Sequence, residues 1–313
     1  MIAGVGGIAL RALVARYDHS VVREQLLDPL ARREHATISG PLNYLLIGSD
    51  RRAGSPDAGQ RSDTIMIAHF PAGLDQAYLI SVPRDLLVDI PGDSTTGYAG
   101  GTDKINAAFQ FGNGGREGTQ LLSATLTRLT GVRFDGAAII DFAGFQRVID
   151  LVGGVQMCVD TPVRSIHTGT VFTAGCREMD GAQALDYARQ RYDLPDGDYD
   201  RQRHQQQLLR AILDRVTDAD LMTNPVKLDQ VIRGIGSALT VDTNGLQTED
   251  LIFALRGLRP DDLTGIRLPS HSEMIDDTSY DLLEVDANGL FRTLRGSDLR
   301  GWVAAHPKWV NHL

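Results

Sequence analysis

Arginine and aspartate recur in this 313-residue chain at the ends of apolar runs, where binding groups usually lie. Gly48-Ser49-Asp50-Arg51-Arg52 follows the run 42–47, Arg61-Ser62-Asp63-Thr64 precedes the run 64–70, and Arg84-Asp85 follows Pro83 at the end of the run 77–82. A second set is Arg189 and Arg191, followed by Asp198, Asp200 and Arg201 with Gln205 one helical turn on. Guanidinium groups present a planar fork of donors that matches phosphate oxygens. Asp50 and Asp63, if their strands are neighbours, would suit a Mg²⁺ that keeps several waters and touches a phosphate. Arg201 and Gln205 share one helical face near an N-terminus, whose dipole favours an anion. Taken singly, each arginine is more often a solvated surface residue. Five of them at element ends, in a chain of net charge −9, point to an anion site.

The elements that must position these residues can be read from patterning. Leu42–Ile47, Thr64–Phe70 and Ala77–Val82 are strands, nearly all apolar rather than alternating, which implies helices on both faces of their sheet. Leu121, Leu122, Leu126 and Leu129 mark a helix over 118–129. A strand over 134–142, a helix over 145–152 closed by Gly153-Gly154, and a short strand Val155–Val159 follow. Asp180 is the N-cap of a helix over 182–190, and a Gln-rich helix runs from Arg201 to Thr217. Helices over 226–239, 248–258 and 287–294 and strands over 264–268 and 282–285 complete the chain, while 91–102 reads as a Gly-rich loop. The economical result is one α/β domain over 41–313.

Composition narrows the function. With 42% hydrophobic and 23% charged residues the chain is globular, and its acidic balance disfavours nucleic acid as a partner. Cys158 and Cys176 lack zinc-site spacing and form either a disulfide or two buried thiols. Residues 1–15 are apolar and Gly-rich but shorter than a membrane span. They read as the remnant of a membrane anchor, or as an ordinary first helix, and 16–40 as a stalk or linker. No Ser-His-Asp or Cys-His arrangement with convincing spacing is present.

Seven motifs stand in one register: Gly48-Ser49-Asp50, Arg61-Ser62-Asp63-Thr64, Ser81-Val82-Pro83-Arg84-Asp85, Lys104-Ile105-Asn106-Ala107-Ala108-Phe109, Gly153-Gly154-Val155, Ala184-Leu185-Asp186-Tyr187-Ala188-Arg189 and 201–207. With them, over about Leu42 to Arg215, the chain resembles the LytR-CpsA-Psr family of bacterial cell-wall glycan ligases, in an actinobacterial-like version. The resemblance implies a three-layer α/β/α sandwich with a central mixed sheet and an apolar lipid pocket. It implies that Arg61, Arg84, Arg189, Arg191 and Arg201 hold a pyrophosphate with Gln205 beside them, and that Asp50 and Asp63 hold Mg²⁺ (or Mn²⁺). Asp85, Lys104 and Asn106 would contact substrate, the last two in a partly structural role.

The implied reaction moves a glycosyl phosphate from a polyprenyl pyrophosphate carrier to peptidoglycan, with arabinogalactan the preferred wall polymer. A pyrophosphatase and a non-catalytic lipid-binding or regulatory wall protein are the alternatives. The resemblance also implies a membrane-anchored protein with an extracytoplasmic domain, a compartment that favours the Cys158–Cys176 disulfide. Asp63, then Asp85, are the candidates for the base. Two positions depart from the family: His204 stands where many members have arginine, and Leu86 where many have serine or threonine.

Overall fold

The computed structural model describes residues 22–34, 38–49, 62–218, 225–296 and 299–313. Eight strands form the central sheet: β1 (Val22–Arg23), β2 (Leu42–Ser49), β3 (Ser62–Phe70), β4 (Ala77–Val82), β5 (Gly136–Asp141), β6 (Leu239–Asp242), β7 (Leu263–Arg267) and β8 (Val310–Asn311). Their spatial order is β1-β6-β5-β2-β3-β4-β7-β8. β2 pairs parallel with β5 and antiparallel with β3, and β4 pairs parallel with β7, so the sheet is mixed as expected.

Helices cover both faces, which is why the central strands are mostly apolar rather than alternating. Leu45, Ile47, Ile65, Ile67, Ile80 and Ala137 point to one face. There they meet α1 (Ile105–Phe111), α2 (Gly115–Thr130), α8 (Asp286–Arg295) and α9 (Leu299–Ala305). The other face is covered by α3 (Phe142–Leu151), α4 (Gly181–Ala188), α5 (Asp198–Thr217), α6 (Pro225–Ala238) and α7 (Thr248–Leu255). Of these helices, α3 to α6 build their own core around Ile149, Met157, Tyr187, Leu208 and Val231.

Several expectations change. The segment 16–40 was expected as a stalk, yet from residue 22 its described part belongs to the domain. Val22–Arg23 add a strand at the sheet edge, and Leu26, Leu27 and Ala31 are fully buried in the main core. Burial of three apolar side chains draws this segment in despite its charged neighbours. The expected anchor, 1–15, lies outside the described residues, and among those described no helix is long and apolar enough to cross a membrane. Of the expected Gly-rich loop 91–102, residues 91–100 connect a hairpin, Leu87–Ile90 with Gly101–Lys104, and the last two belong to its second strand. Cys158 and Cys176 face each other in the hairpin Val155–Val159 with Gly175–Met179 and form a disulfide.

Candidate functional site

The arginines converge because β2 and β4 finish, and β3 begins, at the same end of the sheet. β2 finishes at Gly48-Ser49 beside Asp141 of β5, and Gly48 pairs with Thr64 at the start of β3. A Cβ on Gly48 would approach the Thr64 side chain to 2.9 Å, so only glycine permits this pairing. Arg84 follows β4 after Pro83, and the backbone N–H of Asn106 donates to its carbonyl at 3.1 Å. Asp180 caps α4 reciprocally with Gln183, placing Arg189 at the C-terminal end of that helix. Arg201 stands in the first turn of α5.

Arg84 donates from Nη1 to the Asp63 carboxylate at 2.8 Å, and its Nε lies 3.5 Å from Asp85 and 3.7 Å from Asp198. Burial opposes its charge, but Asp198, Asp85 and Asp63 outweigh that and raise its pKa. Arg201 is only 4% exposed. Asp198 receives its Nε at 3.0 Å and its Nη2 at 2.8 Å, while Nη1 donates to the Asp63 carbonyl at 2.7 Å. Burial lowers the Arg201 pKa despite Asp198. Arg189 stacks its guanidinium 4.3 Å from the centre of the Phe142 ring, and Arg191 donates to the Tyr192 hydroxyl at 2.8 Å.

All four of these arginines, with Asp63 and Gln205, line one cavity of about 480 Å³ between the sheet and α3 to α6. Its walls are Leu46, Met66, Ala138, Phe145, Leu209 and Ile212, among other apolar residues. A largely apolar chamber lined by four guanidinium groups suits an amphiphile with an anionic head.

Asp85, Lys104 and Asn106 stand behind Arg84 rather than in the cavity wall. Lys104 pairs with Asp85 at 2.9 Å, and Asn106 is buried, so together they fix the conformation of Arg84. Asp50 and Arg61 lie outside the described residues. His204 is 1% exposed, stacks on Tyr187 and hydrogen-bonds its hydroxyl at 3.0 Å. Burial, helped by Arg203, lowers its pKa to about 4. This residue is a neutral part of the second core and takes no part in the cationic cluster. Leu86 is fully buried in the main core.

Asp198, named with the second set, proves to be the partner of both Arg201 and Arg84. One site residue escaped sequence reasoning. Asp141 lines the cavity and caps α3 through Gly144 N–H at 2.6 Å; its place between a strand and a helix marked it as a cap.

The family model for LytR_cpsA_psr matches residues 15–295. The chain belongs to the LytR-CpsA-Psr family. It is 36% identical over 211 residues to the probable cell wall biosynthesis protein LcpB of Corynebacterium glutamicum, covering 64% of this chain and 48% of LcpB. It is 27% identical to the cell wall biosynthesis protein LcpA of the same organism, covering 80% and 54%. The chain thus spans about half the length of these curated relatives. Among solved structures it resembles Bacillus subtilis TagV, with 26% identity, a TM-score of 0.66 and 83% and 97% of the two chains covered. TagT bound to LI-WTA has the same fold at 22% identity, with a TM-score of 0.64 and 88% and 98% covered. This LytR-CpsA-Psr domain therefore has the expected fold, and four of the five expected arginines line its cavity.

Proposed function

We propose that this LytR-CpsA-Psr protein transfers a glycosyl phosphate from a polyprenyl pyrophosphate carrier to a hydroxyl of peptidoglycan. The observation that carries this reading is the placement of Arg84, Arg189, Arg191 and Arg201 in the wall of one largely apolar cavity. The hydrocarbon would occupy the chamber between sheet and helices, and the pyrophosphate would sit on the guanidinium groups. The names of the two Corynebacterium relatives support work on the cell wall, and arabinogalactan is our choice of polymer. His204 gives that choice no support, because it is buried away from the cavity.

In the transfer, the acceptor oxygen attacks the sugar-side phosphorus, its proton passes to a base, and polyprenyl phosphate leaves. The protein's main task is to position the groups and neutralise charge on the oxygens. Arg84 and Arg201, braced by Asp198, serve that purpose. Asp63 lines the cavity and Asp85 does not, which favours Asp63 as the base. The carboxylate oxygens of Asp63 and Asp141, both lining the cavity, are the hard donors that Mg²⁺ or Mn²⁺ accepts, and Asp50 follows directly after β2. Among the described residues no cluster of three such donors forms, so phosphate and water would complete the set. When bound, the ion would neutralise charge on the phosphate oxygens. The disulfide supports an extracytoplasmic domain, since such bonds persist in oxidising surroundings, and residues 1–15 would be the remnant of its membrane anchor.

Incubation with a polyprenyl-pyrophosphate-linked glycan and peptidoglycan tests the proposal. Covalent attachment of glycan with release of polyprenyl phosphate is expected. Free glycosyl phosphate as the sole product would replace transfer with pyrophosphatase activity.

A further inference from the structure

Part of the cavity wall comes from neither the sheet nor the covering helices. The loop Ser165–Thr170 joins the paired strands Val163–Arg164 and Val171–Phe172, and its Ile166 and His167 line the cavity beside Arg189, Arg191 and Tyr192. Both ends of this excursion rise from the hairpin that the Cys158–Cys176 disulfide closes.

The loop is tied to α4 through a buried carboxylate. Asp186 accepts hydrogen bonds from Ser165 Oγ at 2.6 Å, Thr168 Oγ1 at 2.5 Å and Gln190 Nε2 at 2.9 Å. Ser165 Oγ in turn accepts from the backbone N–H groups of His167 and Thr168 at 3.0 and 3.1 Å. Gln190 Oε1 accepts the Ile166 N–H at 3.4 Å. Burying a carboxylate is costly unless its oxygens are satisfied, and here they are satisfied by the loop and by the end of the helix that bears Arg189. Loop and arginine are thereby held in one relative position.

Ile166 is 54% exposed and Tyr192 48% exposed, although both line the cavity. Apolar surface left open immediately beside guanidinium groups fits a ligand whose hydrocarbon begins directly after its phosphate. We propose that Ser165–Thr170 is a cap that clamps the phosphate-proximal prenyl unit of the lipid. Ile166 and Tyr192 cover the hydrocarbon while Arg189 and Arg191 hold the phosphate, and Asp186 is the positioning residue. This rests on the reading of the cavity as a polyprenyl pyrophosphate site.

Binding of farnesyl pyrophosphate and of inorganic pyrophosphate, measured side by side, tests it. Ile166→Ser should weaken farnesyl pyrophosphate by about tenfold, the effect of uncovering much of one isoleucine side chain, and leave inorganic pyrophosphate unchanged. Ile166→Leu should restore the affinity, and Asp186→Ala should reproduce the selective loss. Equal weakening of both probes, or of neither, in Ile166→Ser overturns the cap. Ile166 is half exposed, so that variant decides the matter even if Asp186→Ala fails to fold. A wild-type protein that binds farnesyl pyrophosphate no better than inorganic pyrophosphate would instead sink the lipid reading itself.

Discussion

The two faces of the central sheet share the same strands and are finished differently. Against α1, α2, α8 and α9, the side chains of Leu45, Ile47, Ile65, Ile67 and Ala137 are packed into a continuous core with Phe109, Leu122 and Leu290. On the opposite face Gly48, Ala138 and Ala188 are small, and a chamber of about 480 Å³ remains. Interiors normally close at crystal-like density with few voids larger than a water molecule. The chamber survives because α3 to α6 are braced by a core of their own, so the helices need not collapse onto the sheet to bury their apolar faces. One face supplies stability and the other holds space for a ligand.

The largest expected effect belongs to the charged end of the open face. Arg84→Ala and Arg189→Ala should each lower transfer by roughly 10²–10³-fold, the usual loss when a donor to developing charge is removed. Unfolding monitored by circular dichroism should remain cooperative in both. Near-normal turnover in both variants would refute the arginine clamp.

Neighbouring alanines on β5 sharpen the contrast between the faces. Ala137 is 2% exposed in the filled core, and Ala138 lines the cavity. Ala137→Leu should overpack and destabilise by about 1–3 kcal/mol, measured by denaturant titration. Ala138→Leu should leave stability nearly unchanged and weaken lipid binding. Equal destabilisation by the two would show that the chamber is not real space.

The smallest effect is a pH dependence shared by both sides. Burial, with Arg33 a lesser cause, lowers the pKa of His69 to about 4, matching the value for His204. The unfolded state therefore binds more protons as pH falls below about 6.5, and stability should decline from there towards pH 4. Thermal melts of His204→Phe should show a shallower decline over the same range. An unchanged decline would remove His204 from its cause.

Much of the fold was legible because local pattern and tertiary environment agree. Ala77–Val82 and Val155–Val159 are strands over the residues expected, and Asp180 caps its helix as its type suggests. Patterns failed where partners are distant in sequence. The strand Leu239–Asp242, which pairs with β5, is not in the sequence reading, which ends the preceding helix at Leu239 and assigns nothing to 240–242. Ser270–Ile275 with Thr278–Leu283 forms a hairpin whose turn places Asp276 and Asp277 at positive φ, and only the C-terminal end of its second strand was foreseen. The hairpin Leu87–Ile90 with Gly101–Lys104 was hidden by glycines and by exposed polar residues.

What the sequence determined by itself was chemistry: arginines and aspartates at strand ends, apolar strands covered on both faces, and a family register that collects them. Tertiary structure decided which of those charges face the cavity. Arg84, Arg189, Arg191 and Arg201 line the cavity, whereas Lys104 and Asn106 stand behind Arg84 and His204 turns into the core. The physical reason is helical geometry: on α5, His204 and Gln206 face packed interiors and Gln205 faces the chamber. Neighbours in sequence point in different directions around a helix, and only the packing of that helix against the sheet says which direction leads to the site.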